Sequence, residues 1–595
     1  MARVSGNQRR GARRAERQPP AAGRFWSGTF ALALVGAILL WAALPPLQFS
    51  PLALVAPIPW IVLIRRAEMP GRRPYRALWG AGFLFWFAIL HWIRMPHPAT
   101  SIGWVALSGY LAFYLPLYVG LARVAVHRLG VSAVIAAPVA WTGLELARGH
   151  VLGGFTMASL GHTQYRWTEL IQVSDLAGAY GVGFVVMFLA ACLGRMLPVA
   201  DTSSGSGGGA APRGPQRASR GRFVLWPAAP AGLMLAAVLA YGCARLDRGA
   251  EPPAARIALI QGSIDITLQP DPDRPARMHR QYADLSREAV QHYGRVDLIV
   301  WPETVFGDML LTAEQDAAAP RGWSGEPEDF QARIVQAAGD SRRRFAALAE
   351  VFGAAVLVGA ARQHFGPEGE QIYNAAVFAR ATGKFVGWYD KMHLVMFGEY
   401  FPFADKLSWL YNFTPVNTLG LGVQSGSQPR AFDLDRLRIA PNICYESVVP
   451  QVIRRQVNRL AAEGRGPDVL INLTNDGWFF GSNELDLHMI CGVFRAVECR
   501  KPFLIAANTG ISAWIDGDGR IREQGPRRAT GTILAEVVRD RRASLYLWWG
   551  DLPAGICLAA CALCAVVGLV DRYRRRARRP EKQPVPSPVP RDAVF

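Results

Sequence analysis

Charge is scarce in this sequence. Only 19% of its 595 residues are Asp, Glu, Lys or Arg, against 51% hydrophobic, and the acidic sign is the rarer one, 46 residues against 65 basic. A chain this apolar, with a formal net charge of +19, reads as partly membrane-embedded. The basic excess does not describe a nucleic-acid binder, because the arginines cluster at the two termini and in short loops between apolar runs. Cysteine is sparse as well. Of eight, only Cys444, Cys491 and Cys499 fall outside apolar runs, which excludes a secreted disulfide framework and leaves an odd thiol in the soluble part. The ten histidines show no zinc spacing, and neither a P-loop nor a dinucleotide-binding glycine fingerprint is present. No metal and no cofactor is expected.

Long apolar runs are what the chain has instead. They fall at Phe30–Leu47, Leu52–Ile64, Ala77–Ile93, Trp104–Val124, Val131–Leu146, Leu176–Val199, Phe223–Ala244 and Leu545–Val570. A spanning helix needs about 20 apolar residues, so the second and fifth are short for the task. Arginines crowd Arg65–Arg76, Arg123–Arg128, Arg213–Arg222 and Arg572–Lys582, while the alternate loops Pro45–Pro51 and Arg94–Gly103 are poor in them. By the positive-inside rule both termini are cytoplasmic and Ala254–Arg542 lies outside the cytoplasmic membrane. The basic start followed by an apolar run also has the form of a signal peptide, but further apolar spans follow at once and no cleavage is expected.

The expected organisation follows. Residues 1–27 are a basic cytoplasmic tail, 28–200 a transmembrane bundle, 201–222 a Gly/Ser/Arg linker and 223–245 a further span. Residues 254–542 form an extracytoplasmic catalytic domain, 545–570 a last span and 571–595 a basic, Pro-rich tail. In the soluble stretch, strand patterns at Arg256–Gln261, Asp297–Trp301, Ala355–Ala360, Ala375–Phe378, Arg438–Ile443, Asp468–Leu473, Phe503–Ala507 and Thr532–Val538 alternate with helical ones. The helical stretches are Pro275–Gln291, Asp329–Val351, Pro450–Glu463 and Leu485–Cys499. That is a layered α/β domain.

Three strand ends carry reactive side chains. V-D-L-I-V-W-P-E delivers Glu303, W-Y-D-K-M-H-L delivers Lys391, and I-A-P-N-I-C-Y-E delivers Cys444. The thiolate is the nucleophilic form of cysteine, and a nearby ammonium lowers the thiol pKa from about 8.5. Lys391 supplies that charge and can face the oxyanion of a tetrahedral intermediate. Glu303 is placed to accept the thiol proton and later that of an incoming amine. His393 and His488 are read as hydrogen-bonding groups. Cys557, Cys561 and Cys564 are read as small hydrophobes on one helix face, not as cluster ligands. Glu145, inside an apolar run, is either functional or interfacial.

W-P-E, Y-D-K-M-H-L-V-M-F-G-E-Y-F-P, C-Y-E and N-L-T-N-D-G-W-F together resemble the nitrilase superfamily, and within it the apolipoprotein N-acyltransferase branch. Gly153–Tyr165 (G-G-F-T-M-A-S-L-G-H-T-Q-Y) is similar to an element between spans in that branch. The resemblance implies a polytopic α-helical membrane domain plus an αββα sandwich with a Glu303–Lys391–Cys444 triad. It places Glu399, Glu446, Tyr445 and Asn374 around the site and its oxyanion region. It also implies an acyl chain taken from a phospholipid as a Cys444 thioester and passed to the α-amino group of a diacylated apolipoprotein. The chain departs from the pattern at Met157, Met396 and Ile505, and at the residues after Gln261-Gly262, none of them in the triad. The aromatic stretch Tyr400–Leu421, with Trp409, Tyr411 and Phe413, and separately Trp478, are candidate lid or lipid contacts. Two other readings stand beside this one: a membrane-tethered amidase or nitrile hydrolase using the same triad, and a non-catalytic membrane scaffold or transporter carrying a degenerate module.

Overall fold

Strand alternation in the soluble stretch is matched by two sheets stacked face to face. The computed structural model describes residues 28–198, 223–246, 252–266, 271–320, 323–396, 398–400 and 422–577. The first sheet contains β1 (Ala255–Gln261), β2 (Leu298–Trp301), β3 (Leu310–Ala313), β4 (Ala355–Gly366), β5 (Gly369–Ala379), β6 (Phe385–Asp390), β7 (Val423–Gln424) and β14 (Gly531–Val537). Its order is β14-β1-β2-β4-β5-β6, with β3 beside β4 and β7 beside β5. The second contains β8 (Phe432–Leu434), β9 (Leu437–Ile443), β10 (Val469–Thr474), β11 (Phe503–Ala507), β12 (Ala513–Ile515) and β13 (Ile521–Gln524), ordered β13-β12-β11-β10-β9-β8. The parallel pairs β1–β2, β2–β4, β9–β10 and β10–β11 form the centres of the sheets.

Period-2 side-chain alternation sorts each strand between two cores. Ile257, Leu259, Val300 and Leu357 meet Ile439, Ile471, Leu473 and Leu504 between the sheets. The opposite face of the first sheet, with Ala258, Ile299 and Val358, packs under α10 (Arg274–Tyr293) and α11 (Pro327–Phe352). On the outside of the second sheet lie α12 (Pro450–Ala462) and α13 (Glu484–Cys499). This is the αββα sandwich expected. All eight strand patterns and all four helical ones correspond to elements.

Helix α13 is buried at every residue. One side lies so close to the sheet that a Cβ at Gly492 would sit 2.9 Å from the Ile505 side chain. Its other side meets the helical bundle, where His162 stacks on Phe494 at 4.9 Å and Glu498 accepts from the backbone N–H of Ala179 at 2.9 Å. The sandwich is thus seated on the bundle through one shared helix, and each fully buried Leu, Ile, Val or Phe there contributes about 1.5–3 kcal/mol.

The bundle comprises α1 (Thr29–Ala43), α2 (Ile58–Arg65), α3 (Pro74–Ile89), α4 (Thr100–Leu111), α5 (Tyr114–Leu129), α6 (Ala133–Arg148), α7 (Thr168–Ile171), α8 (Ser174–Met196), α9 (Ala228–Leu246), α14 (Leu545–Trp549) and α15 (Leu552–Ala577). Among the described residues four helices are long and apolar enough to cross a membrane: Thr100–Arg128, Ser174–Met196, Ala228–Leu246 and Leu552–Arg575. The run Leu545–Val570, read as one span, is divided at Gly550, whose φ of +61° ends α14. Glu145 is buried and has partners. It lies 3.6 Å from Arg148 inside the bundle and accepts from the Leu160 N–H at 2.9 Å. Cys557, Cys561 and Cys564 run along α15, and a Cβ on Gly143 would come within 2.8 Å of the Cys557 backbone. Small residues let α15 approach α6 there.

Candidate active site at the bundle surface

Each of the three reactive side chains leaves the C-terminal end of a strand. Glu303 follows β2, Lys391 follows β6 and Cys444 follows β9. The ammonium of Lys391, 1% exposed, lies 3.4 Å from Glu303 Oε1 and 2.7 Å from Glu399 Oε1. Glu303 Oε1 also accepts from Asn374 Nδ2 at 2.6 Å, and Oε2 from the Asn475 N–H at 3.1 Å. The Cys444 thiol lies close enough to feel the charges of Glu303, Lys391 and Glu399. Glu303, Lys391, Cys444, Glu399 and Asn374 therefore form one cluster.

Cys444 has φ +51°, a left-handed conformation in which only glycine is at ease. The turn from β9 into the single 3₁₀ turn Cys444–Val448 imposes it, and strain of this kind costs about 1–3 kcal/mol and persists only where surroundings over-determine it. The surroundings do so here. The Cys444 carbonyl lies within hydrogen-bonding distance of Asn472 Nδ2 (3.1 Å), Ser447 Oγ (3.2 Å) and His488 Nε2 (3.2 Å).

Electrostatics change one expectation. Burial pushes the Cys444 thiol well above its ordinary pKa, the Glu303 charge adds to this, and Lys391 only partly opposes it. Both effects favour the neutral thiol over a preformed thiolate. Burial likewise raises Glu303 above the usual carboxylate range against the pull of Lys391. Burial alone would lower Lys391, but Glu399 and Glu303 outweigh it and hold the ammonium well above its ordinary value. A neutral thiol beside a strengthened base is suited to proton transfer concerted with attack.

Glu446 supports the site by holding two of its segments together. Its carboxylate accepts from the N–H groups of Ile443 (2.7 Å), Met392 (2.8 Å) and His393 (3.0 Å) and from the Tyr389 hydroxyl (2.8 Å). It staples the loop after β6 to the end of β9, with its oxygens spent on that task. Tyr445 also turns from the cluster. Its hydroxyl donates to the carbonyl of Gly154 at 2.6 Å, beside the 3.0 Å contact of His393 Nε2 with the Gly153 carbonyl. Thr156 donates to the Val448 carbonyl and Gln451 to that of Gly149. The Gly153–Tyr165 element of the bundle is thus the seat of the nucleophile's turn.

Trp478 lies half-buried in the turn Asp476–Phe479, where the neighbouring Phe479 meets Trp92 of the bundle edge-on at 4.8 Å. Trp409, Tyr411 and Phe413 lie outside the described residues. Asn475, Asn472, Ser447 and His488 had no assigned place at the site. The N-L-T-N-D-G-W-F run that holds two of them was the available signal. Among the described residues one group has metal-ligand chemistry and spacing: Asp476, Glu484 and His488, with donor atoms within 4.8 Å of one another. His488 Nδ1 and Asp476 Oδ1 are already paired at 3.1 Å, so the group is spent on hydrogen bonding.

Comparison with known proteins covers both halves of the chain. Residues 36–192 match the family model described as the apolipoprotein N-acyltransferase N-terminal domain, and residues 256–546 that described as carbon-nitrogen hydrolase. An amidase structure from Nesterenkonia sp. is 18% identical with a TM-score of 0.34, covering 51% of this chain and 97% of its own. The apolipoprotein N-acyltransferase of Geobacter metallireducens is 32% identical over 562 residues, 92% of this chain and 96% of that protein. That of Rhodopirellula baltica is 31% identical over 579 residues, 91% and 97% of the two. With bundle and sandwich matched in order along nearly the whole length of both relatives, the chain belongs to the apolipoprotein N-acyltransferase family.

Proposed function

We propose that the chain N-acylates apolipoproteins, taking a fatty acyl chain from a phospholipid through a thioester on Cys444. The reading rests on one observation above all: the thiol–carboxylate–ammonium cluster sits where the sandwich meets the bundle, with Tyr445 and His393 hydrogen-bonded to the bundle's Gly153–Gly154 carbonyls. A thiol at that seam is within reach of substrates carrying their reactive groups at a membrane surface. A small soluble amide would need no such seat.

In the first half-reaction the Cys444 sulfur attacks the ester carbonyl as its proton passes to Glu303. Lys391 faces the developing oxyanion with its charge fixed by two carboxylates. The intermediate collapses, the ester C–O bond breaks, and the lysophospholipid alcohol leaves with the proton held by Glu303. In the second, the α-amino group of the diacylglyceryl-cysteine attacks the thioester, Glu303 accepts its proton, and the thiol is released. Asn374 and the Asn475 N–H keep the Glu303 carboxylate aimed through both steps. The protein is placed in the bacterial cytoplasmic membrane as a multi-pass enzyme, both termini cytoplasmic and the sandwich on the outer face, on the loop-charge asymmetry of the sequence.

Intact-protein mass spectrometry after incubation with phospholipid alone tests this. Wild type should gain one acyl mass that hydroxylamine removes, and Cys444→Ala should gain none. Absence of both adduct and lysophospholipid with wild type would sink the acyl-transfer reading.

A further inference from the structure

One titratable group beside the nucleophile has no part in the steps above. His488 is buried on α13, with Nε2 3.2 Å from the Cys444 carbonyl and 2.8 Å from Ser447 Oγ. Nδ1 lies 3.1 Å from Asp476 Oδ1, which also accepts from Thr474 Oγ1 at 2.8 Å. A carboxylate and a carbonyl can only accept, and with the Ser447 hydroxyl committed to the Cys444 carbonyl the ring carries a proton on each nitrogen to satisfy both. Ser447 Oγ donates its own proton to the Cys444 carbonyl, and the single Nε2–H is shared between Ser447 Oγ and that carbonyl. The imidazole is then a cation with its counter-ion on one side and the nucleophile's peptide on the other.

We propose that His488, oriented by Asp476, is a positioning residue that clamps the Cys444 carbonyl in its left-handed turn and sets a positive charge beside the thiol. This rests on Cys444 being the nucleophile. Three donors converge on that carbonyl. Asn472 comes from the neighbouring strand β10 and Ser447 from the same turn, so both are fixed by the local fold. His488 alone comes from the helix shared with the bundle, and it alone brings charge. The clamp holds the peptide plane after the nucleophile and, through it, the direction of the sulfur. A misplacement of about 1 Å at a reacting atom costs roughly 100-fold in rate.

The charged neighbours agree with a cationic ring. Burial opposes the proton, but Asp476 outweighs it and raises His488 above its ordinary value. Glu484, on the same helix with Oε1 3.9 Å from Nδ1, is pushed well above the usual carboxylate range by burial and by Asp476. Around the thiol itself stand Glu303, Lys391, Asp476 and Glu399. Removing the imidazolium while Asp476 stays removes a cation and keeps an anion, so the thiol pKa rises.

The test uses the full chain in phospholipid nanodiscs, with His488→Ala and His488→Gln beside wild type and Cys444→Ala. Alkylation of Cys444 by iodoacetamide is followed across pH by intact mass, and acyl-adduct formation from the bilayer lipid is followed in parallel. In His488→Gln an amide N–H still reaches the carbonyl, but the charge is gone. Its alkylation midpoint should move to higher pH while acyl-adduct formation stays within about tenfold of wild type. His488→Ala should show the same shift and lose about 100-fold in adduct formation. A merely structural histidine would leave the His488→Gln midpoint where it is in wild type, and that result overturns the proposal even if His488→Ala fails to fold. A shifted midpoint with no acyl adduct in wild type would support the clamp and overturn the acyl-transfer reading instead.

Discussion

The hydroxyl of Tyr445, the residue immediately after Cys444, donates to the carbonyl of Gly154 in the helical bundle at 2.6 Å. The nucleophile's turn is therefore held from the membrane side, and the bundle is part of the site's scaffold as well as its anchor. Gly154 has φ +82° and ψ 134°, a region closed to other residues, and a Cβ there would overlap the carbonyl oxygen of Gly149. Gly154→Ala should therefore move the carbonyl that Tyr445 meets. The expected outcome is an acyl-adduct rate at least tenfold below wild type, with membrane insertion retained. Tyr445→Phe loses a single hydrogen bond, worth about 1 kcal/mol, and should fall roughly fivefold. Single-turnover mass spectrometry of both variants checks the order; equal rates for wild type and Gly154→Ala would refute the scaffold role.

A second tie between the two parts is ionic. The guanidinium of Arg500, fully buried with φ +50°, donates through Nε to Asp175 Oδ2 at 2.8 Å and through Nη1 to Gln172 Oε1 at 2.6 Å. Asp175 opens α8 and also receives the Tyr241 hydroxyl from α9. Asp175 keeps Arg245 at 2.8 Å when Arg500 is removed, so the loss falls below the about 3–5 kcal/mol of a buried charge left with no partner. Arg500→Ala should lower the thermal midpoint in detergent by several degrees. Arg522→Ala, whose partner Asp516 is part of an exposed pair, should leave it nearly unchanged.

Elements that obey one period were legible in the sequence. Central strands β1, β2, β4, β9, β10 and β11 are near-continuous apolar runs because both of their faces are covered, and they stand out for that reason. Short strands at or next to the sheet's edges, such as β8, β12 and β13, carry no such signal, since a few residues are too short a run to show a period. Glu303 and Cys444 were visible because each ends a readable strand, and Lys391 through its W-Y-D-K-M-H-L context, since partly exposed β6 shows no apolar run. Glu446 and Tyr445 were visible as neighbours of Cys444, but their directions were not: a strand's side-chain alternation stops where the 3₁₀ turn begins. Sidedness also hid His488, which sits on a helix whose every face is buried, so no periodicity separates a site-facing position from a core one. The lysine's pull on the thiol is legible in sequence, and the burial that opposes it is not.

The staple formed by Glu446 can be tested by an isosteric change. Four donors converge on its carboxylate, three of them backbone N–H groups. Glu446→Gln turns one acceptor oxygen into an NH2 that must face a donor, and hydrogen bonds to a charged group are worth about 1.5–3 kcal/mol each. Lys391 and Cys444 hang from the two segments that this carboxylate joins. The variant should insert and melt cooperatively but lose more than tenfold in thioester formation, and iodoacetamide should alkylate Cys444 more freely as the loop opens. An unchanged rate would mean that the tie between β6 and β9 is redundant.

The pH dependence of thioester formation should expose the coupling between the two carboxylates that flank Lys391. Glu303 works as a base only when ionised. Burial raises its pKa, so the ascending limb of the rate profile should lie above the range of a solvent-exposed carboxylate. Glu399, on the far side of the ammonium, raises Glu303 further by like-charge repulsion while also holding Lys391 protonated. Glu399→Gln removes that repulsion. With one carboxylate fewer, Glu303 ionises more readily beside Lys391, and the ascending limb should move to lower pH. Below the wild-type midpoint the variant should therefore lose less of its own plateau rate than wild type does. Its plateau should be lower, because the ammonium has lost its 2.7 Å partner and is less firmly aimed at the oxyanion. Rates of acyl-adduct formation across the acidic range, read by quenched mass spectrometry, decide the matter: a limb that stays put or moves upward would mean that Glu399 acts on Lys391 alone.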